Sequence, residues 1–430
     1  MTVGTRPLPL FESPSECFDC DAPIAVRLID LEQRPEELRL PPSGDGTPYR
    51  RLLTLVRDNG DPLGWVALPV SPDGSVSLDS LPAPSSNGNH SAPQNRVASD
   101  HTPAPDLSPA ERAAESLLSI VVATCAERES VLRCVQRIQS AASGPYEVIV
   151  VENRPTRSTV AQALDERFGD DVRIRYVEEH RPGLACARNA GLRVARGELV
   201  AFTDDDVLID PAWVPALRRA FAATPRVSCV TGLILPLELE TPAQMLIERF
   251  AGYGKGFVAR TYSLDAPPPD QPLFPYTAGY FGSGANMAFR TSTLRELGGF
   301  DPVLGTGTHA RGCEDLDICS RILNAGARLT YEPRAIVWHR HPNTAAHLRR
   351  RVFDYGAALG ALLTKHILCG PHRWRILSRA PQGLRYYVSP QSRKNTTRGP
   401  VFPKGLTRLE RAGVVYGPLA YLASRLDALR

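Results

Sequence analysis

Three adjacent carboxylates, Asp204-Asp205-Asp206, follow directly on an apolar run, Leu199-Val200-Ala201-Phe202, within GELVAFTDDDVLIDP. Two like charges at contact distance repel by about 4 kcal/mol at an effective dielectric near 20. A run of three therefore calls for a cation, for exposure to water, or for raised pKa values. A second acidic pair, Glu314-Asp315, opens the stretch EDLDICSRILNAG. There Ile318, Ile322 and Leu323 recur on one apolar face and Gly326 ends the helix. Carboxylates at a helix start are favoured by the helix dipole, so capping is the simple account of this pair.

The elements that position these groups are legible around them. LLSIVVAT (117–124) reads as a buried strand, RESVLRCVQRIQSA (128–141) as an amphipathic helix and YEVIVVEN (146–153) as a second buried strand. Val160–Phe168 is helical, VRIRYVEE a third strand, LACARNAGLRVAR a helix, and ELVAFTDDD a fourth strand. Apolar strands alternating with helices predict an α/β fold with a mostly parallel sheet covered on both faces. Ligands of such sheets bind at the carboxyl ends of the strands. Three of those ends carry polar clusters, Thr124-Cys125-Ala126-Glu127, Glu152-Asn153 and Asp204–Asp206, which should converge on one rim.

The motifs SIVVATCAERES, EVIVVEN, LACARNAGLRVARGELVAFTDDD, GSGANMAFRTSTLRELGGFD, GCEDLDICSRILNAG and VWHRH occur in that order from Leu117 to His341. In this the chain resembles family 2 of the inverting, nucleotide-sugar-dependent glycosyltransferases, particularly non-processive bacterial members. The resemblance implies a GT-A fold, a nucleotide-sugar donor and a divalent cation. It places Thr124, Glu127, Glu152 and Arg188 at the nucleotide, with Glu152 standing where the family usually has Asp. It makes Asp204–Asp206 a DxD-type cluster whose cation bridges the donor's phosphates. Asp206 is then the direct ligand, Asp204 faces metal or ribose, and Asp205 serves either role. His339 becomes a third protein ligand, with His341 the competing choice. Hard oxygen ligands suit Mg²⁺ or Mn²⁺, and an imidazole favours Mn²⁺. The resemblance also gives Asp315 the part of catalytic base, with Glu314 beside it, and turns Asp317 back into its helix. Gly282, Ser283 and Gly284 permit close backbone approach to donor sugar or acceptor, and Tyr280 and Phe281 could stack on a sugar ring. The Pro-rich DAPPPDQPLFPY (265–276) is expected to be a lid or acceptor loop.

The remaining sequence bounds the picture. At 430 residues, 43% hydrophobic and 22% charged, the chain can bury a sizeable core in two or three domains. We divide it into a β-rich unit (1–81), a Pro/Ser-rich linker expected to be disordered (82–115), the transferase domain (116–345) and a basic C-terminal extension (346–430). The β-rich unit reads as antiparallel, with a hairpin at Asn59-Gly60. No motif lies in 1–112, so donor chemistry should not need it. Cys17 and Cys20 form a lone CxxC, and nine cysteines are no disulfide framework. A net charge of +4 does not imply nucleic acid. From His366 onward, however, twelve Lys/Arg face only Glu410 and Asp427. That basic stretch is a candidate peripheral contact with the inner face of a membrane or with a phosphorylated acceptor. The opening residues hold no apolar leader core and no run approaches a membrane span, so the expected location is the cytoplasm. Gly370-Pro-His-Arg373-Trp374 keeps only the RW of the processive QxxRW motif, which favours transfer of one sugar to a discrete hydroxyl acceptor: a saccharide, a lipid-linked or a natural-product molecule. A nucleotidyltransferase, the nearest rival, usually shows an early Gly-rich loop that TCAERESV lacks. A non-catalytic nucleotide-sugar-binding module is the other alternative.

Overall fold

The computed structural model describes residues 10–11, 23–84, 116–125, 128–155, 159–224, 226–251, 253–269, 271–276, 279–396, 398 and 402–429. Glu127, Cys17, Cys20 and nearly all of the expected linker lie outside the described residues.

The first unit contains β1 (Ile24–Asp30), β2 (Leu38–Arg39), β3 (Arg51–Asp58), β4 (Asp61–Pro69) and β5 (Ser75–Val76). Asn59 and Gly60, with φ of 50° and 80°, close the β3–β4 hairpin. The left-handed backbone that Asn-Gly tolerates matches the twist of the flanking strands. The antiparallel expectation fails for β1, which pairs with β3 in parallel, Ile24 opposite Arg51 through Asp30 opposite Arg57. The long connection carrying β2 is what a parallel crossover needs. The unit shares the main core through Ile24, Val26, Leu53, Leu55 and Trp65. Arg57 bridges Asp30 in its own sheet and Asp210 beyond the linker, the latter at 2.9 Å. Removing this unit would therefore strip core surface, and the loss should fall on stability.

The main body runs β6 (Leu118–Thr124), α1 (Arg128–Ala141), β7 (Tyr146–Asn153), α2 (Thr159–Phe168), β8 (Ile174–Glu179), α3 (Leu184–Val194), β9 (Leu199–Asp204), β10 (Val207–Ile209), α4 (Trp213–Ala223), β11 (Val227–Pro236), α5 (Pro242–Ala251), β12 (Arg260–Tyr262), β13 (Met287–Arg290), α6 (Thr291–Glu296), α7 (Glu314–Asn324) and β14 (Arg328–His339). The sheet order is β10-β14-β11-β13-β9-β6-β7-β8, with β12 also on β14. Strands β9, β6, β7 and β8 are parallel neighbours, and β13 runs antiparallel between β9 and β11. Alternate side chains face opposite layers. Ile120 and Val122 pack under α1 and α4, whereas Val121 and Ala123 pack under α3 and α7.

Four further helices follow: α8 (Ala345–Cys369), α9 (Arg373–Val388), α10 (Arg393–Thr396) and α11 (Lys404–Asp427). Helices α8 and α11 cross on glycines; a Cβ on Gly417 would lie 2.4 Å from Gly360 Cα. The Pro-rich segment lies under α9, where Gln271 Nε2 donates to Tyr386 Oη at 3.3 Å and Phe274 is buried.

Asp317 ties α7 to α8. Its buried carboxylate accepts from Arg321 Nε at 2.7 Å and Lys365 Nζ at 2.5 Å, with His366 Nε2 at 3.3 Å. Burial alone would raise its pKa, but the His366 hydrogen bond and the charges of Lys365 and Arg321 hold it well below the usual carboxylate range. That stability is present above about pH 4 and is lost as the pH falls through the lowered native value. Asp317→Asn should cost about 3–5 kcal/mol, because it leaves buried cations short of a partner. Denaturant melts of the full chain check this, and an unchanged midpoint would refute it.

Candidate active site

Register brings the strand ends together. Thr124 lies opposite Glu152, and Ala123 opposite Asp204, so the carboxyl ends of β6, β7 and β9 form one rim. Asp205 turns toward β6, its Oδ2 accepting from Thr124 Oγ1 at 2.5 Å. Glu152 is fully buried. Its Oε2 accepts from Tyr176 Oη at 2.5 Å, while Oε1 has no hydrogen-bond partner among the described residues.

After β9 the chain turns through Asp205-Asp206 into β10, which pairs antiparallel with the end of β14, Val207 opposite His339. That pairing sets His339 beside Asp206, with Nε2 3.7 Å from Oδ2. Ligand atoms of Asp204, Asp206 and His339 all lie within 4.8 Å of one another. Burial lowers the pKa of His339 and so favours the neutral imidazole that a metal requires. Two carboxylates and a neutral imidazole are a donor set for a divalent cation. His341 is engaged elsewhere: its Nε2 meets Glu248 Oε2 at 2.7 Å, and its ring stacks on Tyr253 with centroids 5.2 Å apart.

Arg188 lies beneath the rim, 1% exposed, instead of in it. Its Nη2 donates to Asp204 Oδ1 and to the Gly284 carbonyl, both at 3.0 Å, and its Nη1 to Glu314 Oε1 at 2.7 Å. Both terminal nitrogens are engaged and the buried Nε has no hydrogen-bond partner among the described residues, so the side chain positions the two carboxylates from below. Gly284 has no alternative here, since a Cβ would lie 2.8 Å from both Arg188 terminal nitrogens. Glu314 is likewise buried, and desolvation pushes its carboxyl up to about 7 against the pull of Arg188.

Asp315, one residue on, is half-buried at the start of α7. Its Oδ2 accepts from the Gly284 N–H at 2.7 Å and its Oδ1 from Leu316 N at 2.8 Å. The glycine segment is fixed from below by Asn286, whose amide donates to the carbonyls of Leu233 and Ala335 and accepts from Trp213 Nε1 at 2.8 Å. Ser283 is half-buried, and Gly282, at φ +135°, lies against Thr231. Tyr280 is half-buried edge-on to Tyr262 at 5.4 Å, whereas Phe281 is 1% exposed and belongs to the core. Phe281 therefore cannot stack on a sugar. Asn286 and Tyr176 are contributors that the sequence did not single out. Asn286 stood inside GSGANMAFR, but nothing local marks a side chain that satisfies distant carbonyls.

The chain thus carries, at the rim of a mixed sheet, two carboxylates and an imidazole close enough together to share one divalent cation. Residues 119–298 match the model of glycosyl transferase family 2. Over 197 residues the chain is 32% identical to the pre-mycofactocin glycosyltransferase of Mycobacterium tuberculosis, covering 46% of this chain and 38% of that protein. It is 25% identical over 239 residues to the glucosyl-dolichyl phosphate glucuronosyltransferase of Haloferax volcanii, covering 52% and 69%. Among solved structures, the mannosyltransferase PcManGT of Pyrobaculum calidifontis with GDP-Man and Mn²⁺ is similar over 75% of this chain and 88% of its own, at 18% identity and a TM-score of 0.46. The aligned part thus spans well under half of the mycobacterial relative.

Proposed function

We propose that the protein is a metal-dependent inverting glycosyltransferase that moves one sugar from a nucleotide-diphosphate sugar to a hydroxyl acceptor. One observation carries this reading: Arg188 clamps Asp204 of the triad to Glu314, and Gly284 then joins that clamp to Asp315. The donor's phosphates and the acceptor hydroxyl are thereby addressed from one rim. The relatives named above are glycosyltransferases, which supports the same class.

Asp204, Asp206 and His339 would hold the cation, Mn²⁺ in preference to Mg²⁺ because of the imidazole. When bound, it neutralises charge on the leaving diphosphate. The buried, half-satisfied carboxyl of Glu152 is placed to accept an N–H of the nucleotide base. Asp315 takes the proton from the acceptor hydroxyl as its oxygen attacks the anomeric carbon, and the nucleoside diphosphate departs from the opposite face. The backbone N–H groups of Gly284 and Leu316 hold the Asp315 carboxylate in one orientation. The acceptor is a saccharide, a lipid-linked or a natural-product hydroxyl.

A panel of radiolabelled sugar nucleotides incubated with the full chain and Mn²⁺ tests this. One donor should be hydrolysed slowly and transferred when its acceptor is supplied. EDTA should stop both, and Mn²⁺ should restore them better than Mg²⁺. Full turnover in chelator would overturn the metal role, and no turnover of any donor would overturn the reading.

A further inference from the structure

The C-terminal helices bury one side and leave the other bare. On α11, Leu406, Gly413, Gly417, Ala420, Tyr421 and Ser424 are buried. Opposite them Val415, Leu419, Leu422, Leu426 and Leu429 are 79, 65, 47, 61 and 78% exposed. Intervals of four, three, four and three residues put these five on one stripe. Helix α9 adds Trp374, 73% exposed, and Leu384, 64% exposed. The surfaces meet at a corner. Cys369, ending α8, has its Sγ 3.5 Å from Tyr421 Oη and accepts from Arg425 Nη1 at 3.0 Å, and α9 begins just beyond. Scattered exposed apolar residues are ordinary. Here ten of the thirteen large exposed ones among the described residues fall between 368 and 429, on the C-terminal helices and the residues just after α11.

Charge identifies what covers it. The stripe is flanked by exposed Arg411 and Arg425, and α9 carries exposed Arg373 and Arg385. The region's two acids are engaged: Glu410 is buried under Lys394 and Arg398 at 2.7 and 2.9 Å, and Asp427 meets His309 Nε2 at 3.0 Å. A second copy laid along the stripe would bring arginine against arginine, where paired helices place opposite charges. An anionic lipid surface matches both the cations and the apolar stripe. No helix among the described residues is long and apolar enough to cross a membrane, so such contact is interfacial.

We propose that the α11 stripe and the start of α9 are an interfacial docking surface for an anionic bilayer, with Trp374 and the leucines entering the headgroup boundary. This goes beyond the transfer reaction and does not depend on it. The full chain is sedimented with vesicles of phosphatidylcholine alone and of phosphatidylcholine mixed equally with phosphatidylglycerol. Binding to the anionic vesicles is expected, with a blue shift in tryptophan emission that Trp374→Phe removes. The triple variant Leu419→Glu, Leu422→Glu, Leu426→Glu should bind about tenfold more weakly or less, while keeping its melting temperature and its donor turnover in solution. Failure to sediment with either vesicle, equal binding to both, or wild-type binding by the triple variant would overturn the proposal. So would a wild-type dimer that the triple variant dissolves while no vesicle is bound, because the stripe would then belong to a second copy.

Discussion

Asp206→Asn should leave the protein folded and reduce donor turnover by about 10²–10³-fold, the range for removing one preorganised electrostatic contact from a reacting site. The geometry makes the effect specific. The Asp204 carboxylate already accepts a hydrogen bond from Arg188, and His339 brings no charge when neutral, so Asp206 is the triad's one carboxylate that no arginine hydrogen-bonds among the described residues. An amide keeps the shape and loses the charge. Because the substitution also relieves repulsion with Asp204 and Asp205, the melting temperature should stay within about 1 °C, roughly the shift 1 kcal/mol gives a chain of this length. Mn²⁺ titration followed by paramagnetic resonance should show at least a tenfold weaker site. Wild-type turnover with wild-type Mn²⁺ affinity would remove Asp206 from the metal centre.

Asp315→Asn should also be severe, by a different route. Loss of a general base typically costs 10²–10⁴-fold, or about 3–5 kcal/mol at 1.36 per decade. The asparagine can still receive the Gly284 and Leu316 N–H groups but cannot take the acceptor's proton. Donor affinity should hold within a few-fold, because the triad and Glu152 are untouched. Glu314→Gln discriminates. Glu314 is buried against Arg188, so its loss should lower the melting temperature and weaken the positioning of Asp204, with turnover falling less than in Asp315→Asn. If Asp315→Asn lowers only the melting temperature, the residue is a helix cap and the mechanism fails. If Glu314→Gln is inactive and Asp315→Asn active, the base is Glu314.

The local half of this architecture was legible. Strands β6, β7 and β9 and helices α1 to α3 lie within two residues of where apolar runs and helical spacing put them. Burial on both faces writes an unbroken apolar run, and a covered helix writes its stripe. The shared rim followed from parallel order alone. What stayed hidden depends on partners far along the chain. Nothing near ARNAG shows that Arg188 will be enclosed by residues 96 and 126 positions away. The choice between His339 and His341 rests on whether Asp206 or Glu248 lies opposite, which pairing with β10 decides. The parallel pairing of β1 with β3 was invisible for the same reason, since alternation reports which face is buried and not which neighbour is bonded.

The sheet's last strand is not at its edge. Strand β14 lies between β10 and β11 and carries His339. During synthesis, then, the half of the sheet that follows β9 stays open until the ribosome has passed residue 339, by which time Asp204 has waited for roughly ten seconds at common elongation rates. From the moment it is made until then, β11, ten buried residues long, offers an unpaired edge. Such an edge invites non-native pairing. The nascent chain should therefore depend on chaperones over this window, and a message truncated anywhere before codon 339 should yield an aggregating product rather than a smaller working transferase.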